Sequence, residues 1–444
     1  MVGSTLVKHT LGLLAACLVA AEAVAQAPLT LEDAIARCTA SRARLAELEA
    51  RQAGAAAAEA AAAAATLPIL AAQAGYTRTN HVDEFFIAVP GRPPQFVYPD
   101  VPNNYRSRLD LQWPIFTAGR ADALERAARG EANAAGEDLA SARADLKLEI
   151  TRAYWALVTA REAEQVVARS LASLDAHVHD LRARLDQGLI PPNDVLSAEA
   201  QRSRERVLSI ESANARAVAE ADLRRLIGGG GQTLNLASPI VSCPLPPCGP
   251  AGIGAKNPAN QDSRSDPRRR GLELRLAAAR DREAAIRAGG RPQIFVGGGF
   301  DYARPNPRIF PRVDRWDDAW DASVNVSWTL WDGGRRTADA AQSDAAARAL
   351  EARITDFDRQ VAFEVEARQL ELDSARAAIT AADDGVRSAV EARRVVAERY
   401  QAGVVTSTEV LDAEVAVLQA ELDRTHAVAN ARLAEARLER ALGR

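Results

Sequence analysis

Glu409 and Asp412 stand three apart in Glu409-Val410-Leu411-Asp412-Ala413-Glu414, a spacing that puts both carboxylates on one face of a helix. Such a pair can attract cations, but it is also how an ordinary helix begins, because acids favour the positive end of the helix dipole. Cys243 and Cys248 enclose Pro-Leu-Pro-Pro, which suits a small disulfide loop or, less well, a metal or redox pair. No His or carboxylate clusters beside them, and Pro-rich segments tend to stay extended, so the bridged and unbridged forms both stay open. His177 and His179 are two apart and fall on different helix faces, a poor metal site. No Gly-rich phosphate loop lies between a strand and a helix, and no nucleophile has a base at recognisable spacing. These residues argue against an enzyme and imply neither a metal nor a cofactor.

The elements that must position them come in pairs. Trp113-Pro114-Ile115-Phe116-Thr117-Ala118-Gly119-Arg120 returns as Trp328-Thr329-Leu330-Trp331-Asp332-Gly333-Gly334-Arg335, 215 residues later. Gly188-Leu189 with Asp194-Val195-Leu196-Ser197-Ala198-Glu199 returns at the same offset as Gly403-Val404 with Glu409-Val410-Leu411-Asp412-Ala413-Glu414. A constant offset means one uninterrupted element in each copy, the mark of a duplicated architecture. The division that follows is a signal at 1–25, a first repeat at 26–227, a connector at 228–260 with four consecutive Gly, and a second repeat at 261–444.

The 444 residues carry 5% aromatics, with Ala and Arg dominant, a composition for long helices packed side by side rather than for one compact core. Lys occurs only at 8, 147 and 256, so the positive charge is nearly all Arg, which genomic bias alone would produce. A net charge of −4 gives no sign of nucleic-acid binding. Lys8 and His9 precede the apolar run 11–21, and Ala23-Val24-Ala25 offers a cleavage site, so the chain reads as exported. Leu14-Ala15-Ala16-Cys17 resembles a lipobox, in which Cys17 would instead be acylated. After the signal no apolar run of about 20 residues follows, so no spanning helix is expected.

Tyr105, Ser107, Leu109, Leu111, Trp113 and Ile115 alternate with Arg106, Arg108, Asp110 and Gln112; Trp320, Ala322, Val324, Val326, Trp328 and Leu330 alternate with polar residues in the same way. Period-two alternation predicts strands with one apolar and one polar face. Four strands are expected, near 69–78, 105–116, 293–303 and 319–331, about the length that crosses a bilayer at a tilt. Trp113, Trp316, Trp320, Trp328 and Trp331 suit an interfacial girdle. Helices are expected at 31–66, 119–187, 194–227, 265–288, 335–402 and 407–442, and 82–104 reads as a loop. The two longest would each rise roughly 100 Å at 1.5 Å per residue. Leu171, Leu174, Val178, Leu181 and Leu185 step three and four, a heptad seam.

Four strands cannot close a barrel, and open edges in lipid leave backbone groups unsatisfied, so copies must join. The duplicated Trp-x-x-(Phe/Trp)-x-x-Gly-Arg and Gly-(Leu/Val)-x4-(Asp/Glu)-Val-Leu-x-Ala-Glu segments resemble the TolC-like family of outer-membrane efflux proteins over about 30–443. The resemblance implies an α+β fold in which a homotrimer closes a twelve-stranded outer-membrane β-barrel, four strands per chain, continuous with a long α-helical periplasmic barrel. It implies an exit duct in outer-membrane lipid that serves a periplasmic adaptor protein and an inner-membrane transporter. Glu409 and Asp412 match the family's acidic constriction ring, and Tyr400 and Asp194 match a pair that ties the hairpins shut. Gly188, Leu189, Gly403 and Val404 match motifs that adaptors contact, although a helix C-cap would use the same glycines. Val405 replaces a basic residue of a second tie, and the Asn-Pro of the first helix is missing at Thr39 to Arg44. An alternative is a trimeric coiled-coil adhesin or stalk with a membrane anchor, which would need one terminal cluster of strands.

Overall fold

A computed structural model describes residues 28–39, 43–91, 93–228, 234, 236 and 265–443. The export signal expected at 1–25, the connector expected at 228–260 apart from 228, 234 and 236, and Cys17, Cys243 and Cys248 lie outside the described residues.

Among the described residues the chain runs α1 (Leu31–Thr39), α2 (Ala43–Ala64), β1 (Ile69–Arg78), β2 (Phe85–Ile87), β3 (Gln95–Tyr98), β4 (Asn103–Phe116), α3 (Arg120–Asp186), α4 (Pro192–Ile227), α5 (Pro267–Ala288), β5 (Gln293–Arg304), β6 (Asp317–Ser327), α6 (Arg335–Gln401) and α7 (Ser407–Ala441). Two compact units divide it, and each draws on both halves of the sequence. One comprises Met1–Leu45, Ala142–Ser263 and Val361–Arg444; the other comprises Ala46–Ser141 and Arg264–Gln360.

The second unit holds the sheet, which is antiparallel throughout in the order β1-β4-β5-β6. The central pairing of β4 with β5 joins the two halves of the chain, so the strands do not form the single terminal cluster that a stalk required. Register sets the faces. Leu109 pairs with Phe300 and Ala72, and Phe300 with Trp320, on the apolar side; Arg108 pairs with Asp301 and Gln73, and Asp321 with Gly299, on the polar side. Tyr76, Tyr105, Trp316 and Tyr302 form a contiguous aromatic group at one end of the apolar face, with ring centroids 4.9 to 5.9 Å apart. Trp113 and Phe116 lie near the other end of β4. Eight residues separate Tyr105 from Trp113, about 26 Å along a strand, close to the apolar band that outer-membrane barrels expose.

The repeated motif has a repeated job. The Trp113 indole donates to the carbonyl of Thr66 at 3.2 Å, and the Trp328 indole donates to that of Gly290 at 3.0 Å. Each accepting carbonyl lies two residues before a proline, Pro68 or Pro292, where a helix has ended and a strand begins. Thr117 Oγ1 accepts from the N–H of Ala121 at 3.3 Å; its counterpart Asp332 accepts from Gly334 at 3.1 Å and Arg336 at 3.2 Å. Both caps precede a left-handed pair, Ala118 and Gly119 (φ 55 and 82) and Gly333 and Gly334 (φ 69 and 86), that turns the chain from strand into long helix.

Several expectations are corrected. The strand expected to reach 331 ends at Ser327 because its partner β5 begins at Gln293, so Trp328 and Leu330 have no ladder to join. The loop expected at 82–104 contains the hairpin of β2 and β3, where Phe85-Phe86-Ile87 and Gln95-Phe96-Val97-Tyr98 supply β-formers that surrounding prolines obscure. The helix expected at 31–66 is described as α1 and α2. Near 234–236 a single bridge joins Leu29 to Leu236. No described helix is long and apolar enough to cross a membrane.

Candidate functional site

The hairpin tips lie in the first unit. Helix α3 ends where Gly188 takes φ 71, and α6 ends where Gly403 takes φ 73, conformations that favour a residue without Cβ. Leu189 N–H donates to Arg184 O at 2.9 Å and Gly188 N–H to Leu185 O at 2.8 Å; Val404 to Arg399 O (2.9 Å) and Gly403 to Tyr400 O (3.0 Å) repeat the pattern. This is a Schellman cap, whose apolar residue after the glycine commonly packs back on its own helix. Here Leu189 is 68% exposed and Val404 63% exposed, so the two caps present apolar side chains outward. Pro191 and Pro192 then open α4.

Leu174, Val178 and Leu181 of the expected seam are buried with Val195, Ala198 and Leu411, and Leu185, Ile190 and Tyr400 pack against them. This core holds the tip segments of α3, α4, α6 and α7 together.

Glu409 and Asp412 are both exposed in the first turns of α7. The Glu409 carboxylate accepts from the Thr406 backbone N–H at 3.3 Å and from its hydroxyl at 3.4 Å, one half of a capping box. Its carboxylate therefore has a local structural task. Asp194 is half-buried in the first turn of α4. The Tyr400 hydroxyl is buried and makes no hydrogen bond among the described residues, to Asp194 or otherwise. Burial raises its pKa; Arg184 opposes the shift, while Asp180 and Asp194, both close enough to act on it, add to it.

Of the groups around Tyr400, sequence reasoning weighs His177 only as a metal ligand and does not single out Arg184 or Asp180. The Arg184 guanidinium lies over its ring, 5.1 Å from the centroid, and donates Nε to Asp180 at 3.0 Å. His177 meets it edge-on with centroids 5.9 Å apart, and its Nε2 lies 3.4 Å from the Oγ of buried Ser407. Burial lowers the His177 pKa below its ordinary 6.5; Asp180 and Glu414 work against that, and Arg184 reinforces it. The spacing of 177, 180 and 184 already places these three on one helix face. Among the described residues no His, Cys, Asp or Glu group could hold a metal.

Known structures share this fold. CusC, described in terms of folding and transmembrane channel formation, superposes with a TM-score of 0.77 at 17% identity over 93% of this chain and 92% of its own. The outer membrane protein VceC of Vibrio cholerae gives 0.75 at 19% over 93% and 96%. The open-state MtrE outer membrane channel of Neisseria gonorrhoeae gives 0.76 at 19% over 93% and 88%. A comparison with curated protein sequences gives no significant match. The α+β fold is thus that of these outer-membrane channels, which are trimeric and carry a β-barrel domain and a helical periplasmic barrel; this chain has four paired strands and long helices to match. The model of the family described as "Outer membrane efflux protein" matches residues 34–229 and 265–444. With strands and long helices of both halves inside that match, the chain belongs to the outer membrane efflux protein family, as a channel of the outer membrane whose helical portion stands in the periplasm.

Proposed function

We propose that this chain is the exit duct of a tripartite efflux or type I secretion system, passively carrying what an inner-membrane transporter delivers across the periplasm and outer membrane. The sheet carries the reading. Strands β1 and β6 are its two edges, each paired on one side only. Lipid does not tolerate open edges, so identical chains must complete the wall.

The duplicated halves, 26–227 and 261–444 joined by 228–260, are read as two structural repeats, and 1–25 as the export signal, with acylation at Cys17 as the alternative processing. A Cys243–Cys248 bridge would brace the connector. Leu189 and Val404, exposed beside Gly188 and Gly403, suit an apolar contact with the tip of a periplasmic adaptor. Glu409 and Asp412 form the constriction, where carboxylates from three chains would repel one another and favour cations. Tyr400 and Asp194 form the closed-state tie, the buried hydroxyl having no other hydrogen-bond partner among the described residues and Asp194 being one of the charges that act on it. Substrate choice belongs to the transporter.

The test separates charge from capping. Glu409→Gln with Asp412→Asn keeps the capping geometry, since Gln serves in the same box, and removes the negative charge. In planar bilayers this variant is expected to show higher single-channel conductance or weaker cation preference than the wild type. Unchanged conductance and selectivity would remove the constriction from these two residues.

A further inference from the structure

The polar face of the sheet carries a fixed ionic lattice. Arg108 on β4 donates Nε to Asp110 at 2.7 Å, Nη1 to Asp301 on β5, and Nη2 to Asp321 on β6 at 3.3 Å. The guanidinium crosses β5 because Gly299 occupies that point; a Cβ there would lie 2.8 Å from Arg108 Cζ and 2.9 Å from Asp321 Oδ1. Arg106 Nε donates to Asp301 at 2.7 Å, and that carboxylate is only 1% exposed. Arg308, from the connection between β5 and β6, donates to Asp321 at 2.7 Å. Three carboxylates are thus consumed by Arg106, Arg108 and Arg308.

Positive charge is left over. Arg106 commits only its Nε in this lattice, and its side chain is 53% exposed. Arg312, on the same connection, lies over the Tyr98 ring at 5.6 Å and donates Nη1 to the Tyr98 hydroxyl at 3.1 Å. No carboxylate pairs with it among the described residues. A cavity of about 310 Å³ is lined by Arg106, Arg108 and Arg312, with Gln73, Thr77 and Asn104 also on its wall and no carboxylate among its described lining residues.

We propose that this cavity is an anion site on the lumenal face of the sheet, in which Arg106 and Arg312 grip the phosphate or carboxylate group of a small solute. Guanidinium forks match such oxyanions with paired, charge-assisted hydrogen bonds. Since the polar face of an outer-membrane barrel lines its interior, each chain offers one such site to whatever passes or enters. The lattice of three arginines on three aspartates leaves the wall neutral, so the net charge of the site comes from Arg312, and Arg106 contributes the N–H donors it does not spend on Asp301. The site is independent of the tip carboxylates and stands whether or not they form the constriction.

The probe is inorganic phosphate, followed by ³¹P NMR line broadening with the full-length protein in detergent, a measurement that needs no open channel. Arg312→Gln leaves the ionic lattice intact, and Arg348→Gln, an exposed helix residue paired with Asp344 at 3.1 Å, is the control for adventitious surface binding. Wild type and Arg348→Gln are expected to broaden the line equally, Arg312→Gln to cut the broadening by about half, and Arg312→Lys to restore most of it, since one of two gripping cations is removed or kept. Equal broadening by Arg312→Gln and the wild type, or no broadening by the wild type, would overturn the proposal.

Discussion

At the scale of single residues the tips are governed by what burial does to ionisable groups. Burial disfavours the charged form of His177, with Asp180 and Glu414 opposing that shift and Arg184 adding to it. Because the lowered value belongs to the folded chain, the unfolded chain takes up its proton first as pH falls. The stabilisation is complete above the ordinary 6.5 and drains away as pH drops through the lowered value. Protection of the amides around 403–410, corrected for their intrinsic exchange rates, is therefore expected to weaken as pH falls below 6.5, and His177→Gln to flatten that dependence. A His177→Gln protein with the wild-type pH profile would show that another group controls the tip. Part of this was legible in sequence: Thr406-x-x-Glu409 spells a capping box, and 177, 180 and 184 share a helix face. Their meeting with Tyr400, more than 200 residues away, follows only from how α3 and α6 pack.

At the scale of elements the repeated motif is a junction device. Its tryptophans are anchored to the carbonyl that ends the preceding helix, its Thr or Asp caps the next helix, and its left-handed pair makes the turn between. The same hydrogen bond occurs at Trp113 and Trp328, so Trp113→Phe and Trp328→Phe are each expected to cost about 1 kcal/mol, the net worth of one such bond. Denaturant unfolding in detergent checks this, and a loss at one site without the other would show that the two junctions are not equivalent. Alternating residues made the strands readable, and the glycines and prolines made the helix ends readable. Two boundaries were not. The apolar alternation of Val324, Val326, Trp328 and Leu330 continues past Ser327, but a strand ends where its partner does. The β2 and β3 hairpin is only three and four residues long, too short for a period to emerge among Pro90, Pro93 and Pro94.

At the scale of the molecule, Ala and Arg divide the work. Ala198, Ala278, Ala431 and Ala434 are fully buried, and small side chains let helices approach closely. At Gly130 of α3 even a Cβ would come within 3.1 Å of Ala278 Cβ on α5. Arg then bridges helix to helix, as in Arg269 with Asp358 at 2.7 Å, Arg440 with Asp145 at 2.7 Å and Arg169 with Glu421 at 3.1 Å. Composition suggested genomic bias for the arginines; the bridges give many of them a structural use that residue counts cannot reveal.

One chain nevertheless leaves β1 and β6 as edges, with Trp320, Val324 and Val326 exposed on the apolar face. Identical chains must cover those edges in lipid. Multi-angle light scattering of the detergent-purified protein, corrected for bound detergent, measures this directly. Three chains of 47.4 kDa each, less any export segment, are predicted in a single species. A stable, folded single chain would contradict the account.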